Sequence, residues 1–469
     1  MTGGDGARAV PLLGATAALV AIGVLFIYSS GVDSTGESVS REWIKQIVWA
    51  LTGFALLAVV AAAGPGWLQA GAPALYAGGL VLLAATALFG REVNGARAWI
   101  GIGDFGVQPS EFAKLTTILF LASYLAGIGN GIKELPRFAL GLAIVLLPVG
   151  LVLLQPDMGT AMVYVPIFLV ASLVSGAEIR HLAFILGATV VTFAMAVLPD
   201  LNPEGILRTV ATALLDPGIV RLAAVALLAI VGLAFIGYRL SRSRWLYWVG
   251  YVTSIVLGGV TGAALVRSVL KPYQIVRLAA FLEPWADLRG AGWNIIQSKT
   301  AVGSGGLAGK GYLQGTQSHY QFLPQQSTDF IFSILAEEWG FRGSLLVLGL
   351  FAVILLRSIA ICRRARDDFG VAMAAGVIGM FATHVLVNIG VASGIMPITG
   401  IPLTFVSYGG SALWTGLLAV GMLLALLRPG AGGAMRFSSR LTASQWRSSS
   451  ANGSSPRVAP VSRTRRSTS

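Results

Sequence analysis

The sequence predicts an all-α polytopic integral membrane protein of about 12 transmembrane helices with one large extracytoplasmic loop. Three observations carry that expectation. Of 469 residues, 55% are hydrophobic and only 11% charged, with a mean hydropathy of +0.77. A soluble domain carries roughly 25% charged residues, so this chain lacks the charge to dress a surface in water. Apolar runs recur along it, each near the roughly 20 residues that cross about 30 Å of hydrocarbon. The polar residues gather in a few connecting stretches between those runs.

Candidate spans cover 11–30, 44–63, 72–90, 109–127, 136–155, 159–176, 179–198, 219–239, 246–266, 330–356, 369–394 and 403–427. The first is too long for a signal-peptide core and no clean small-residue cleavage site follows it, so it reads as a retained span. Lys and Arg set the orientation. With the N-terminus in the cytoplasm, nineteen of the 33 fall on the cytoplasmic side and fourteen outside, six of these in the loop from Arg267 to Thr328. Both termini are therefore expected inside, which an even number of spans satisfies. The chain divides into a cytoplasmic N-terminus (1–10), a membrane bundle of about nine spans (11–266), the large extracytoplasmic loop (267–328), three last spans (329–428) and a disordered basic tail (429–469).

The net charge of +13 is concentrated in that tail, where eight arginines and no acid lie between Arg428 and Ser469. Its Ser, Gly and Pro content is that of a chain that buries no core. Arginines beside a last span hold topology and touch membrane lipids, so nucleic acid is not an expected partner. The single cysteine, Cys362, allows no internal disulfide and no cysteine metal cluster. His181, His319 and His384 lack metal-ligand spacing and no Walker loop is present, so no nucleotide, haem or zinc site is expected.

On this topology three polar stretches face outward: Arg91 to Lys114, the turn Gln155-Pro156-Asp157, and Arg267 to Thr328. The last opens with Lys271 to Leu282, whose apolar positions recur every three and four residues, as in an amphipathic helix lying in the membrane interface. Its run of glycines from Gly290 to Gly315 fits an ordered but irregular loop better than a helix. Ionisable groups at span ends are costly and mark functional sites. Asp329 begins a span directly after Thr328. Lowered dielectric there raises a carboxylate toward a general base, while the same position suits a helix cap; the spacing leaves both open. Glu337, Glu338 and Arg342 follow within three turns, as an internal ion pair or as part of a site. Glu111 and Lys114 share a helical face, either neutralising each other or presenting Lys114 to a phosphate, with Arg97 a second cation on that side. Asp157 after Pro156 is ordinary turn chemistry, yet it lies on the side of Asp329. Asn388, Pro397, Gly400, Pro402 and Ser407-Tyr408-Gly409-Gly410-Ser411 interrupt the last spans. Backbone groups freed there must be buried in protein or line a cavity.

These motifs resemble the shape, elongation, division and sporulation family of peptidoglycan polymerases, the RodA, FtsW and SpoVE proteins. Asn388 to Ala412 reads N-x5-G-I-M-P-I-T-G-I-P-L-T-F-V-S-Y-G-G-S-A. Further motifs are Val107-Gln108-Pro109-Ser110-Glu111-Phe112-Ala113-Lys114, Gln155-Pro156-Asp157-Met158-Gly159-Thr160, Lys271-Pro272-Tyr273-Gln274, Arg277, Gln297-Ser298 and Thr328-Asp329-Phe330-Ile331-Phe332. They span most of the chain, in family order, and Pro397-Ile398-Thr399-Gly400-Ile401-Pro402 is similar to the RodA branch, the elongation enzymes.

The resemblance implies a peptidoglycan glycosyltransferase that polymerises lipid II into glycan strands, releasing undecaprenyl pyrophosphate, for cell elongation and rod shape. It places the protein in the bacterial cytoplasmic (inner) membrane with its active site facing out. It implies Asp329 as the catalytic residue. Arg97, Glu111, Lys114, Asp157, Lys271, Arg277, Gln297, Ser298, Ser407 and Tyr408 are the implied substrate-binding residues. Asp329 and Asp157 are candidates for a divalent cation such as Mg2+, whose presence the sequence leaves open. With no soluble domain bearing Ser-x-x-Lys, cross-linking falls to a partner, a class B penicillin-binding protein. Two features depart from the family: a surplus pair of spans near 219–239 and 246–266, and the arginine tail. A lipid II flippase or secondary-transporter-like protein is the alternative, since a proline-broken bundle with intramembrane acids fits transport too.

Overall fold

The computed structural model describes residues 3–93, 96–102, 105–197, 216–269, 277, 280–281, 283–286, 290–320 and 322–428. The apolar runs become helices α1 (Gly3–Ser30), α2 (Glu42–Ala63), α3 (Pro65–Phe89), α4 (Pro109–Ile128), α5 (Leu135–Leu154), α6 (Met158–Val174), α7 (Ile179–Val197), α8 (Pro217–Ser241) and α9 (Arg244–Val269). The large loop holds α10 (Ala291–Ser304) and α11 (Thr316–His319); α12 (Ile331–Cys362), α13 (Asp368–Ala392) and α14 (Gly410–Ala425) follow. Among the described residues, ten helices are long and apolar enough to cross a membrane, while α6 and α14 are shorter apolar helices. The twelve runs expected from hydropathy map onto these ten and these two. The chain is a multi-pass membrane protein.

Local chemistry sets the helix starts. Pro opens α3, α4, α5 and α8, where its missing N–H costs nothing and its fixed φ suits the first turn. Asp157, Asp216 and Asp367 cap α6, α8 and α13 by accepting backbone N–H bonds. Within the bundle α13 is central, with 78% of its most apolar window buried, and it packs on α4, α6 and α12. Small residues make that approach possible: a Cβ on Gly379 would stand 2.7 Å from the Pro166 carbonyl oxygen of α6. Around this centre α1 packs on α12, α2 on α14 and α3 on α4. The pair α8 and α9 lies at the periphery: α9 packs on α7, α8 packs on α9, and only 11% of the α8 window is buried.

Two expectations need correction, and the helical fold carries one small addition. Residues 91–107 form an antiparallel sheet of β1 (Arg91–Val93), β2 (Ala96–Ile102) and β3 (Phe105–Val107), pairing Arg91 with Trp99 and Ile100 with Val107. Ala98 is buried while Arg97 beside it is exposed, as neighbours on opposite faces of a strand can be. The glycine-rich loop is partly helical, since Gly292, Ile295, Ser298 and Ala301 recur at three residues and form the buried face of α10. The last span does not begin at 403: residues 403–409 are non-helical and α14 starts at Gly410, with Phe405 (φ 72°) and Gly409 (φ 153°) outside helical backbone. Of the expected amphipathic helix, Lys271 to Val276 lie outside the described residues, as does the tail 429–469; Arg277, Ala280 and Phe281 are helical.

Candidate active site

The non-helical stretch before α14 is held by hydrogen bonds to the turn that carries Asp329. Ser407 Oγ donates to the Thr328 carbonyl (2.6 Å) and accepts the Leu403 N–H (2.8 Å). Tyr408 N–H donates to the Ser327 carbonyl (2.8 Å). Asn388 Nδ2, from α13, donates to the carbonyls of Asp329 (3.1 Å) and Ile401 (2.9 Å). Gln46 of α2 closes the far side, donating to the Ser407 carbonyl (3.2 Å) and accepting the Gly409 N–H (3.3 Å). The backbone groups freed by Pro and Gly thus go largely to protein partners, as membrane depth demands.

These bonds fix the main chain of Asp329 and leave its carboxylate for other work. The N-cap of α12 is Phe330, with no side-chain cap bond, so Asp329 does not cap the helix. Burial pushes its carboxyl above the ordinary value, opposed by the Arg277 guanidinium and a bond with the Thr328 hydroxyl. Beside it Gly400 (φ 74°) turns the chain, and a Cβ there would stand 3.9 Å from Asp329 Oδ2.

A second polar layer lies deeper. Lys114 Nζ is 2.8 Å from Glu111 Oε1, with side-chain exposures of 1% and 4%. It is also 3.1 Å from His384 Nε2, while His384 Nδ1 is 3.0 Å from the Pro402 carbonyl. An ammonium only donates. Nε2 is therefore the acceptor, and the imidazole proton sits on Nδ1, donating to Pro402. Glu111 Oε2, Ser110 Oγ and Asn388 Oδ1 are buried without a hydrogen-bond partner. Lys114 is enclosed in this structure, in the self-neutralising arrangement of the two that its spacing permits. His384 was missed when histidines were weighed only as metal ligands. Its signal was the four-residue offset from Asn388, which puts both on one face of α13.

Asp157 joins the layers. Its Oδ1 accepts the Thr160 N–H (3.0 Å) and its Oδ2 accepts Gln108 Nε2 (2.8 Å). Burial raises its pKa and the negative Glu111 adds to that, against lowering by the Thr160 bonds and Lys114. Gln108 N–H donates to Ser411 Oγ (2.9 Å). Gly159 packs on the Thr399 carbonyl oxygen, which a Cβ there would overlap. Motifs from three distant parts of the chain therefore meet at one end of the bundle.

Other candidates stand apart. Arg97 is exposed on β2, 3.9 Å from Glu92. Ser298 points into helix packing, 2.6 Å from Ser333 Oγ and donating to the Ala392 carbonyl (2.8 Å); Gln297 beside it is half-buried. The Tyr408 ring packs against Trp49 at 5.2 Å. Glu337 pairs with Lys310 of the loop between α9 and α12 (2.6 Å), and Arg342, a candidate partner by spacing, is exposed. Lys271 lies outside the described residues. Among the described residues, no group of three or more His, Cys, Asp or Glu is placed to hold a metal ion.

The chain matches the cell cycle protein family of FtsW, RodA and SpoVE over residues 11–218 and 206–429. It belongs to that family. It is 47% identical over 411 residues to the peptidoglycan glycosyltransferase RodA of Treponema pallidum, covering 87% of this chain and 95% of that protein. To the peptidoglycan glycosyltransferase MrdB of Escherichia coli K12 it is 32% identical, over 87% of this chain and 90% of the other. Among solved structures, one of a peptidoglycan synthase complex described as coordinating polymerization and crosslinking aligns with a TM-score of 0.62 at 28% identity, covering 89% of this chain and 96% of that one. RodA from Thermus thermophilus aligns at 0.55 and 27% identity, covering 89% and 95%.

Proposed function

We propose that this family member is a peptidoglycan glycosyltransferase that polymerises lipid II into glycan strands for cell elongation, with release of undecaprenyl pyrophosphate. The observation that carries the reading is Asp329. Its carbonyl is held by Asn388 and the preceding Thr328 carbonyl by Ser407, its carboxyl is raised by burial, and the Arg277 guanidinium acts on it. A carboxylate so held takes the proton of the acceptor sugar's hydroxyl. The hydroxyl oxygen attacks the donor's anomeric carbon, and the bond to the diphosphate breaks with its electron pair on the leaving group. Arg277, with Lys271, supplies cations for the diphosphate through charge-assisted hydrogen bonds, and Arg97 on its exposed strand takes no part. Ser298, Ser407 and Tyr408 act by holding segments in place, and Lys114, with Glu111 and His384, sets the charge beneath the site.

A Mg2+ fits only as an ion shared with the substrate. Both Asp157 oxygens are engaged, so Asp329 and the diphosphate oxygens would hold it, the ion keeping several waters as is usual for Mg2+. The membrane is the bacterial cytoplasmic membrane, with the Asp329 end outside, as the arginine asymmetry supports. A class B penicillin-binding protein supplies transpeptidation, a pairing supported by the likeness to the synthase complex.

The test is lipid II polymerisation by the purified protein and its transpeptidase in detergent, where no compartments exist and a transporter yields no polymer. Wild type is expected to form glycan, and Asp329→Asn to bind lipid II without forming any. Full polymerisation by Asp329→Asn would refute the base role.

A further inference from the structure

Beyond Asp329, the outer loop is spliced into a broken helix. Gly340 (φ 64°) interrupts α12, and such a break frees carbonyls before it and N–H groups after it. The loop takes both sets. Lys310 and Gly311 N–H donate to the Glu337 and Glu338 carbonyls at 3.0 Å each, while Phe341 and Arg342 N–H donate to the carbonyls of Gly306 (2.9 Å) and Leu307 (3.2 Å). Side chains lock the splice. Glu337, fully buried, accepts at Oε1 from Lys310 Nζ (2.6 Å), Thr316 N–H (2.9 Å), Thr316 Oγ1 (3.0 Å) and Gln317 N–H (3.1 Å). Glu338 accepts the Leu313 N–H (3.1 Å) and the Ser29 hydroxyl of α1.

The contact from Thr316 to Glu337 ties together two points 21 residues apart, and Asp329 lies between them. One limb of this closed arc runs from α11 down to the Asp329 turn; the other is the half-helix 331–339, which leads from Asp329 back to Glu337. Ser407, Tyr408 and Asn388 hold the tip of the arc, and the Glu337 carboxylate holds its base. We infer that Lys310 and Glu337 are positioning residues for the polymerisation step, closing the base of the arc that aims Asp329; the inference rests on the glycosyltransferase reading. Lys310 is the cation of the lock. Without it a buried carboxylate has no counter-charge, the base of the arc loosens, and both limbs gain freedom. Displacing a catalytic group by about 1 Å costs up to about 100-fold in rate.

The experiment compares wild type, Lys310→Met and Lys310→Arg, each as full-length protein with the transpeptidase partner. Lys310 is partly exposed at 28%, so its replacement leaves the bundle core intact. In Lys310→Met the Gly311, Thr316 and Gln317 amides are expected to exchange hydrogen roughly tenfold faster, as local opening becomes easier. The kcat on lipid II is expected to fall about 10- to 100-fold with KM within about twofold, and Lys310→Arg is expected to recover most of the loss. A Lys310→Met protein with wild-type kcat, a loss carried in KM, or a loss that Arg does not restore overturns the positioning role. A wild type that forms no polymer overturns the glycosyltransferase reading, and the positioning role with it, whatever the amides show.

Discussion

Replacing Lys114 with Met is expected to destabilise the bundle more than replacing both members of its ion pair. Lys114 Nζ lies 2.8 Å from Glu111 Oε1 and the two side chains are 1% and 4% exposed. Met keeps the length and removes the charge. Glu111 then stays buried with no donor to Oε1 and with Oε2 already unpartnered, and His384 Nε2 loses the donor 3.1 Å away. Removing one partner of a buried pair costs about 3–5 kcal/mol, and the orphaned imidazole nitrogen adds about 1 kcal/mol. The double variant Glu111→Gln with Lys114→Met carries no buried charge at this position, so a coupling of about 2 kcal/mol is expected to return. In a large chain each kcal/mol moves the thermal midpoint by roughly 2 °C. The single variant is thus expected to melt ~8–12 °C below wild type in detergent, followed by tryptophan fluorescence, with the double variant in between. A single variant that melts with wild type, or a double variant no better than the single, refutes the reasoning.

Three further outcomes follow from the site. A base must be unprotonated, and burial raises the Asp329 pKa, so the acid limb of kcat/KM is expected above the ordinary 3.8. Arg277 opposes that rise, so Arg277→Gln is expected to move the limb to higher pH; a limb that stays or moves down contradicts the electrostatics. The stability sign follows from the same shift: the folded state binds this proton more tightly than the unfolded chain, so stability is lost as pH rises from 3.8 through the folded value. Asp329→Asn is accordingly expected to melt no lower than wild type at neutral pH. Ser407→Ala removes the donor to the Thr328 carbonyl and the acceptor for the Leu403 N–H. A loss of about 1–3 kcal/mol is expected, read as a lower melting midpoint together with slower polymerisation.

Much of this molecule is legible along the chain because lipid imposes a one-dimensional rule: a segment is apolar for span length or it is not. Each apolar run from Pro11 to Leu427 became a helix, and Pro109 announced the start of α4. The motif Ser407 to Ser411 also declared itself, since Pro and Gly at that depth free backbone groups that need partners. Local pattern was misread where glycine hid it. The strands of 91–107 are set by pairing with one another rather than by alternation along each, and α10 is helical despite Gly292 and Gly303, because Ile295, Ser298 and Ala301 complete a buried stripe.

What only the tertiary structure decided is which polar group meets which. Spacing suggested Glu337 with Arg342, yet its partner is Lys310, brought back 27 residues by the break at Gly340. Spacing set His384 aside, yet it accepts from Lys114 on another helix, 270 residues away. Helix formation answers to neighbours within four residues, whose identity the sequence displays. A buried donor takes whichever acceptor the packed backbones bring within about 3 Å, and that choice belongs to the assembled bundle.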